Sequence, residues 1–275
     1  MAKKAQKNNE LEEIALNLRK KIIEISYISG AHHIGSELSC IDILVSLYFK
    51  IMNIYPKKPT HRDRDFFILS KGHAALALYV TLMQRGFFSE NFLKKEFLSN
   101  GGLLGGHPDK NLNIGIEISS GSLGHGLAIA AGIALMNKRD NKTNRSFVLL
   151  GDGECNEGMI WETALFAAHQ KLDNLLAIVD YNKLQGLGST TKIIDLEPFK
   201  EKFESFGWNT VLVDGHNIKS IITAIEKIFL HKNKPNLLIA RTVKGKGISF
   251  MENTFESHYE VLDKNKYQEA IKGLK

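Results

Sequence analysis

The chain has 275 residues, with a formal net charge of +6 from 36 basic and 30 acidic side chains, 43% hydrophobic and 24% charged residues, and two cysteines. Those proportions suit a globular protein of one large α/β domain or two small ones, and two cysteines without metal-ligand spacing exclude a disulfide or zinc scaffold. No run reaches the ~18 apolar residues of a membrane span, and the lysines form no aromatic-basic stripe, so neither membrane nor nucleic acid is an expected partner.

The opening MAKKAQKNNE is basic and has no apolar signal-peptide core behind it, which predicts a cytoplasmic protein with a flexible lead over residues 1–10. Leu11, Ile14, Ala15, Leu18, Ile22 and Ile25 recur on one helical face over residues 11–29. Ser39 is read as the cap of a second apolar run, Ile41 to Tyr48. Phe66 to Leu69 reads either as a short strand or as the lead into an alanine-rich helix over 74–84. Residues 99–125 are dense in glycine, and a long connection of that kind is often functional. Beyond it the pattern turns regular. Apolar runs at Phe147–Leu150, Leu175–Val179, Thr210–Val213 and Leu237–Val243 alternate with helical stretches. This predicts an α/β fold with helices layered on both faces of a mostly parallel sheet. The main domain is expected over 11–265, with 266–275 as a tail.

Each strand of the second half runs into polar or glycine residues, and open parallel sheets bind ligands beyond the carboxyl ends of their strands. In Gly151-Asp152-Gly153-Glu154 the glycines permit close backbone approach, and the helix start behind them offers N–H groups to an anion. A carboxylate among such donors makes sense if a cation lies between it and the anion. Asn182, 30 residues later, leaves the next strand with a hard oxygen of its own. The plain alternative is a turn aspartate and a turn asparagine, each satisfied locally.

Gly151-Asp152-Gly153, the interval, and Asp180-Tyr181-Asn182 together look like the thiamine-diphosphate signature, and the text from Gly151 to Gln185 resembles the amino-terminal domain of the transketolase family. The resemblance covers roughly residues 11–265. It implies a three-layer αβα diphosphate-binding domain with a six-stranded sheet. It also implies Mg²⁺ (or Ca²⁺) held by Asp152, Asn182 and the Leu184 carbonyl. Gly151, Gly153, Glu154, Glu157 and the loop Gly121-Ser122-Leu123-Gly124-His125 would lie beside thiamine diphosphate. His33, His73, His107 and His258 match the family's sugar-reading histidines. Ile34-Gly35 selects His33 over His32, whereas Ser257 and Tyr259 depart from the family's usual flanks of His258.

The activity so implied is transfer of a two-carbon glycolaldehyde unit from a ketose to an aldose, with sugars or sugar phosphates as substrates. The family's pyrimidine-binding domain has no counterpart here, which points to a separate partner subunit and a heterotetramer. The rival readings are a pyruvate-dependent synthase of the same cofactor class and a non-catalytic scaffold. No GxGxxG opens a helix after a strand, which argues against a dinucleotide site.

Overall fold

Five short apolar runs pair side by side into one parallel sheet. The computed structural model describes residues 2–274, with side chains from residue 9 onward, so most of the expected flexible lead lies outside the described side chains. In chain order the elements are α1 (Ala2–Ser29), α2 (Ile34–Ser46), β1 (Phe66–Leu69), α3 (Ala75–Gln84), α4 (Glu90–Glu96), α5 (His125–Arg139), β2 (Ser146–Gly151), α6 (Gly158–His169) and β3 (Leu175–Tyr181). A small ribbon follows, β4 (Leu184–Gln185) with β5 (Gly188–Ser189), then α7 (Thr190–Ile193), α8 (Phe199–Ser205), β6 (Asn209–Asp214), α9 (Ile218–Ile228), β7 (Asn236–Arg241) and α10 (Lys264–Gly273). Among the described residues the main sheet has the order β1-β2-β3-β7-β6, all parallel: five strands, not the six that the resemblance implied.

Alternation along each strand divides the core into two layers. Phe67, Leu69, Phe147, Leu149, Leu176, Ile178 and Leu238 point into one, packed by α1, α2, α3 and α9. Ile68, Val148, Leu150, Ala177, Val179, Leu237 and Ile239 point into the other, packed by α5, α6 and α8. Both faces are therefore covered, as a parallel sheet requires. Helix α9 shows how a sequence pattern becomes a layer. Ile218, Ile221, Ile222, Ile225 and Ile228 form its buried stripe, and the Asn217 side chain caps it by accepting from the Ser220 N–H at 2.9 Å.

Three local expectations change. Ser39 does not cap a helix, because α2 begins five residues earlier and its N-cap is His33. The stretch after Gly151 does not enter a helix directly; a tight turn over Gly153–Asn156 comes first, and α6 starts at Gly158. Most of the segment read as a C-terminal tail, 266–275, is helical: α10 is capped by Asp263 and buries Ala270, and Leu274 just beyond it is buried too. Among the described residues no helix is long and apolar enough to cross a membrane.

Candidate active site

The strand register sets the site. Gly151, Asp180 and Ala240 stand level at the carboxyl edge of three neighbouring strands. Asp152 and Asn182 therefore leave the same edge of the sheet, side by side. Between them Asp180, fully buried, gathers four side chains. It accepts hydrogen bonds from Lys71, from Thr242 and, at 2.5 Å, from Ser39, and Asn182 Nδ2 stands 3.5 Å away. Burial opposes both members of the Lys71–Asp180 pair, yet their mutual attraction wins: the Lys71 pKa is raised and the Asp180 pKa is lowered.

Beyond this edge lies a cavity of about 240 Å³ lined by Leu123, Gly151, Asp152, Gly153, Glu154, Asn182 and Leu184 together with Lys71, His73, Lys244 and His258. The backbone donors of the Gly151 turn are largely consumed at home. Gly151 N–H donates to Glu154 Oε2 at 2.9 Å, Gly153 N–H to Asp152 Oδ1 at 2.7 Å, and Cys155 N–H to the Asp152 carbonyl at 3.0 Å. The expected supply of free N–H groups for an anion is thus small. Positive charge comes from Lys71 and Lys244 instead. Lys244 is 2% exposed, has no acidic partner among the described ion pairs, and is pushed down to about 8 by burial and by Lys71. A buried ammonium without a counter-ion suits an anionic ligand.

Asp152 is buried too. Burial and the neighbouring Asp180 push it up to about 7 against two backbone N–H donors, which leaves its carboxylate short of positive charge. Asn182 Oδ1 accepts from the Leu184 N–H at 3.0 Å. Among the described residues no group of three or more His, Cys, Asp or Glu could hold a metal. The expected set of one aspartate, one asparagine and one carbonyl is of a different kind and does not depend on such a group.

The four histidines picked out in the sequence meet. His33 lies 4.6 Å from His258, 5.7 Å from His73 and 5.6 Å from His107, ring centre to ring centre, and His73 lies 5.1 Å from His258. His32 is exposed beside them, so His33 is the inward residue. His33 reaches this position through a left-handed backbone (φ 72°) that few side chains adopt. Its N–H donates to the His258 carbonyl at 3.0 Å, which sews the start of α2 to the His258 turn. Burial and adjacent positive groups hold His33 down to about 4 and His258 to about 3, with His73 also well below the ordinary value. All three are neutral imidazoles near pH 7.

The glycine loop fits by close approach. A side chain at Gly72 would meet the Gly121 nitrogen at 2.7 Å, and one at Gly124 (φ 87°) would meet Glu157 Cβ at 2.7 Å. Glu154 ties these pieces together, with one oxygen accepting from Ser70 Oγ and Gly124 N–H and the other from Gly151 N–H. Gly121, Ser122, His125 and Glu157 do not line the cavity. Gly121 backs the His107 ring, and His125 Nδ1 lies 3.2 Å from the carbonyls of Ser122 and Leu123.

Residues 14–274 match the family described as transketolase, thiamine diphosphate binding domain. The chain belongs to the transketolase family. It is 42% identical over 258 residues to one subunit of the apulose-4-phosphate transketolase of Phocaeicola vulgatus, covering 93% of this chain and 90% of that one. It is 39% identical over 266 residues to the 6-deoxy-6-sulfo-D-fructose transketolase subunit of a Clostridium species, covering 96% of each. Among solved structures it resembles the transketolase of Campylobacter jejuni with a TM-score of 0.89 at 30% identity, covering 96% of this chain but 42% of that one. It thus spans about two fifths of the solved transketolases that it matches.

As a transketolase-family protein the chain is a thiamine-diphosphate-dependent transferase, and its cavity fits a diphosphate on its own terms. The fit rests on Lys244, a buried ammonium without an acidic partner, and on Gln185, a cavity-lining residue whose Nε2 is buried with no partner. Sequence reasoning missed Lys71, Lys244, Ser36, Asp180 and Gln185. Lysine is a surface residue by habit, and nothing in Ser70-Lys71-Gly72 or Lys244-Gly245-Lys246 marks a buried one. Asp180 did carry a signal, as a charged residue closing an unbroken apolar strand.

Proposed function

We propose that this chain is the diphosphate-holding subunit of a split transketolase. It moves a two-carbon glycolaldehyde unit from a ketose, most simply a phosphorylated one, to an aldose. The observation that carries the reading is the convergence of four histidines, of which His73 and His258 line the same cavity as Asp152 and Asn182. Asp152, Asn182 and the Leu184 carbonyl are hard oxygen donors suited to Mg²⁺, which would offset the crowding of Asp152 by Asp180. Lys71 and Lys244 supply the remaining charge for the diphosphate. Thiamine diphosphate, when bound, supplies the electron sink for cleaving a carbon–carbon bond beside a carbonyl.

The work left to this chain is positioning and proton handling. His33, His73 and His258, kept neutral, can each both donate to and accept from sugar hydroxyls, and His107 completes the cluster. The Phocaeicola and Clostridium relatives are each one subunit of a transketolase, and their lengths match this chain, which supports a second subunit here. We read that partner as a pyrimidine-binding protein, in a heterotetramer with two copies of each. The test is incubation of the assembled protein, saturated with thiamine diphosphate and Mg²⁺, with a panel of ketoses and aldoses, including xylulose 5-phosphate with ribose 5-phosphate. Aldoses lengthened by two carbons are expected. No lengthened product across the panel, at full cofactor occupancy, would refute the reading.

A further inference from the structure

Lys244 raises a physical question. A lysine stem is flexible, and an ammonium that is both buried and without an acidic partner tends to escape toward water or to lose its proton. Something must fix its backbone. Part of the answer is local: Gly245 N–H donates to the Gly35 carbonyl at 2.9 Å, and Asn253 N–H donates to the Lys244 carbonyl at 2.9 Å. The ammonium itself lies 3.4 Å from His258 Nδ1, and the Val243 carbonyl accepts from Lys246 N–H at 3.2 Å. A further contact comes from a residue outside the cavity. Val243 N–H donates to His216 Nε2 at 2.8 Å.

His216 stands just beyond the end of β6, next to the strand that leads to Lys244. Its Nε2 can accept only if the proton sits on Nδ1. That tautomer is dictated by Asp42 of α2, whose Oδ2 lies 2.8 Å from Nδ1. Asp42 is in turn fixed by a two-pronged contact with Arg19 of α1, at 3.1 and 2.6 Å. The chain Arg19–Asp42–His216–Val243 thus runs from two helices of one layer to the backbone beside a cavity-lining cation. The same helix α2 begins at the histidine cluster, since its N-cap is His33.

We infer that His216 is a positioning residue for the diphosphate site: as the Asp42-fixed Nδ1–H tautomer, it accepts the Val243 N–H and so holds Lys244 against the bound diphosphate. The inference rests on the reading of Lys244 as a diphosphate contact. It adds that a residue outside the cavity sets the affinity through that lysine.

A double-mutant cycle separates the two. Thiamine diphosphate with Mg²⁺ is titrated calorimetrically into the full chain, as wild type, Lys244→Met, His216→Asn and the combination. Loss of a charged contact should weaken binding about tenfold in Lys244→Met. His216→Asn keeps a polar atom near the Nδ1 position but cannot reach Val243, and it should weaken binding about fivefold in the wild-type background. In the Lys244→Met background it should change binding by less than about twofold, because the lysine it positions is gone. His216→Gln, which restores an acceptor near the Nε2 position, should recover affinity to within about twofold of wild type.

If the wild type does not bind, or Lys244→Met binds as well as wild type, the reading of Lys244 fails and the inference with it. If Lys244→Met is weak but His216→Asn binds normally, the inference alone is overturned. Equal losses from His216→Asn in both backgrounds would also overturn it, since a general loosening of the fold would not depend on Lys244. Should His216→Asn not fold, Asp42→Asn replaces it in the same cycle, because it favours the other tautomer and turns an N–H toward Val243.

Discussion

Replacing Glu154 with alanine should cost the fold about 3 kcal/mol, although the residue lines the cavity. Its carboxylate is 2% exposed and serves three donors: Ser70 Oγ, Gly124 N–H and Gly151 N–H. Each buried donor left without a partner costs ~1–3 kcal/mol, so three cost ~3 kcal/mol at the lower bound. The lower bound applies because burial raises the Glu154 pKa, and removing the carboxylate relieves that strain. For a domain of this size ~1 kcal/mol moves the thermal midpoint by about 2 °C, which gives a fall of about 6 °C. Glu154→Gln should fall about half as far, since its oxygen can still serve Ser70 and Gly124 while its NH₂ faces Gly151 N–H. Circular-dichroism melts of the three proteins under one buffer condition provide the measurement. A midpoint for Glu154→Ala within about 1 °C of wild type would show that the three loops do not depend on this carboxylate.

Other consequences can be checked alongside. Asp152→Ala should abolish the Mg²⁺-dependent part of thiamine diphosphate binding, and calorimetric curves that respond to Mg²⁺ as wild type does would remove Asp152 from the metal site. His107→Ala should leave that binding within about twofold and lower turnover at least tenfold, as expected of a side chain worth one acid–base or hydrogen-bonding step; a large loss of cofactor binding would assign it to the wrong end of the cavity. Acid should destabilise the histidine cluster. His33 at about 4, His258 at about 3 and His73, which burial holds well below the ordinary value, all lie below 6.5, so in that acid range the unfolded chain binds more protons than the folded one. Their contribution is complete above about pH 6.5 and is lost as the pH falls through about 4 to 3. Urea midpoints measured down from neutral pH should fall, and less steeply in His33→Asn/His258→Asn; parallel curves would contradict the assignment.

The strands of the second half were legible because each is an apolar run ending at polar residues, the mark in β2, β3 and β7 of a strand covered on both faces, while β6 at the sheet edge keeps Leu212 exposed. β1 was ambiguous at four residues, since a strand that short carries no decisive period. The start of α2 was misplaced because Ile34-Gly35-Ser36 lacks a capping side chain, and the chain enters the helix through the left-handed His33. At the site, Asp152 and Asn182 could be placed on one edge from strand spacing. The meeting of His33, His73, His107 and His258 could not: it joins turns separated by as much as 225 positions, and only the family resemblance anticipated it. The buried lysines and the His216 link were invisible, because burial and tautomer are tertiary properties that composition does not record.

The central claim is that the cavity is one half of an active site. It is tested most directly by purifying the chain, reconstituting it with a pyrimidine-binding protein that co-purifies with it, and measuring ketol transfer with and without that partner at saturating thiamine diphosphate and Mg²⁺. The account predicts no measurable transfer by the chain alone and transfer restored in proportion to added partner, up to one copy each. Full activity of the chain alone, unchanged by the partner, would contradict it.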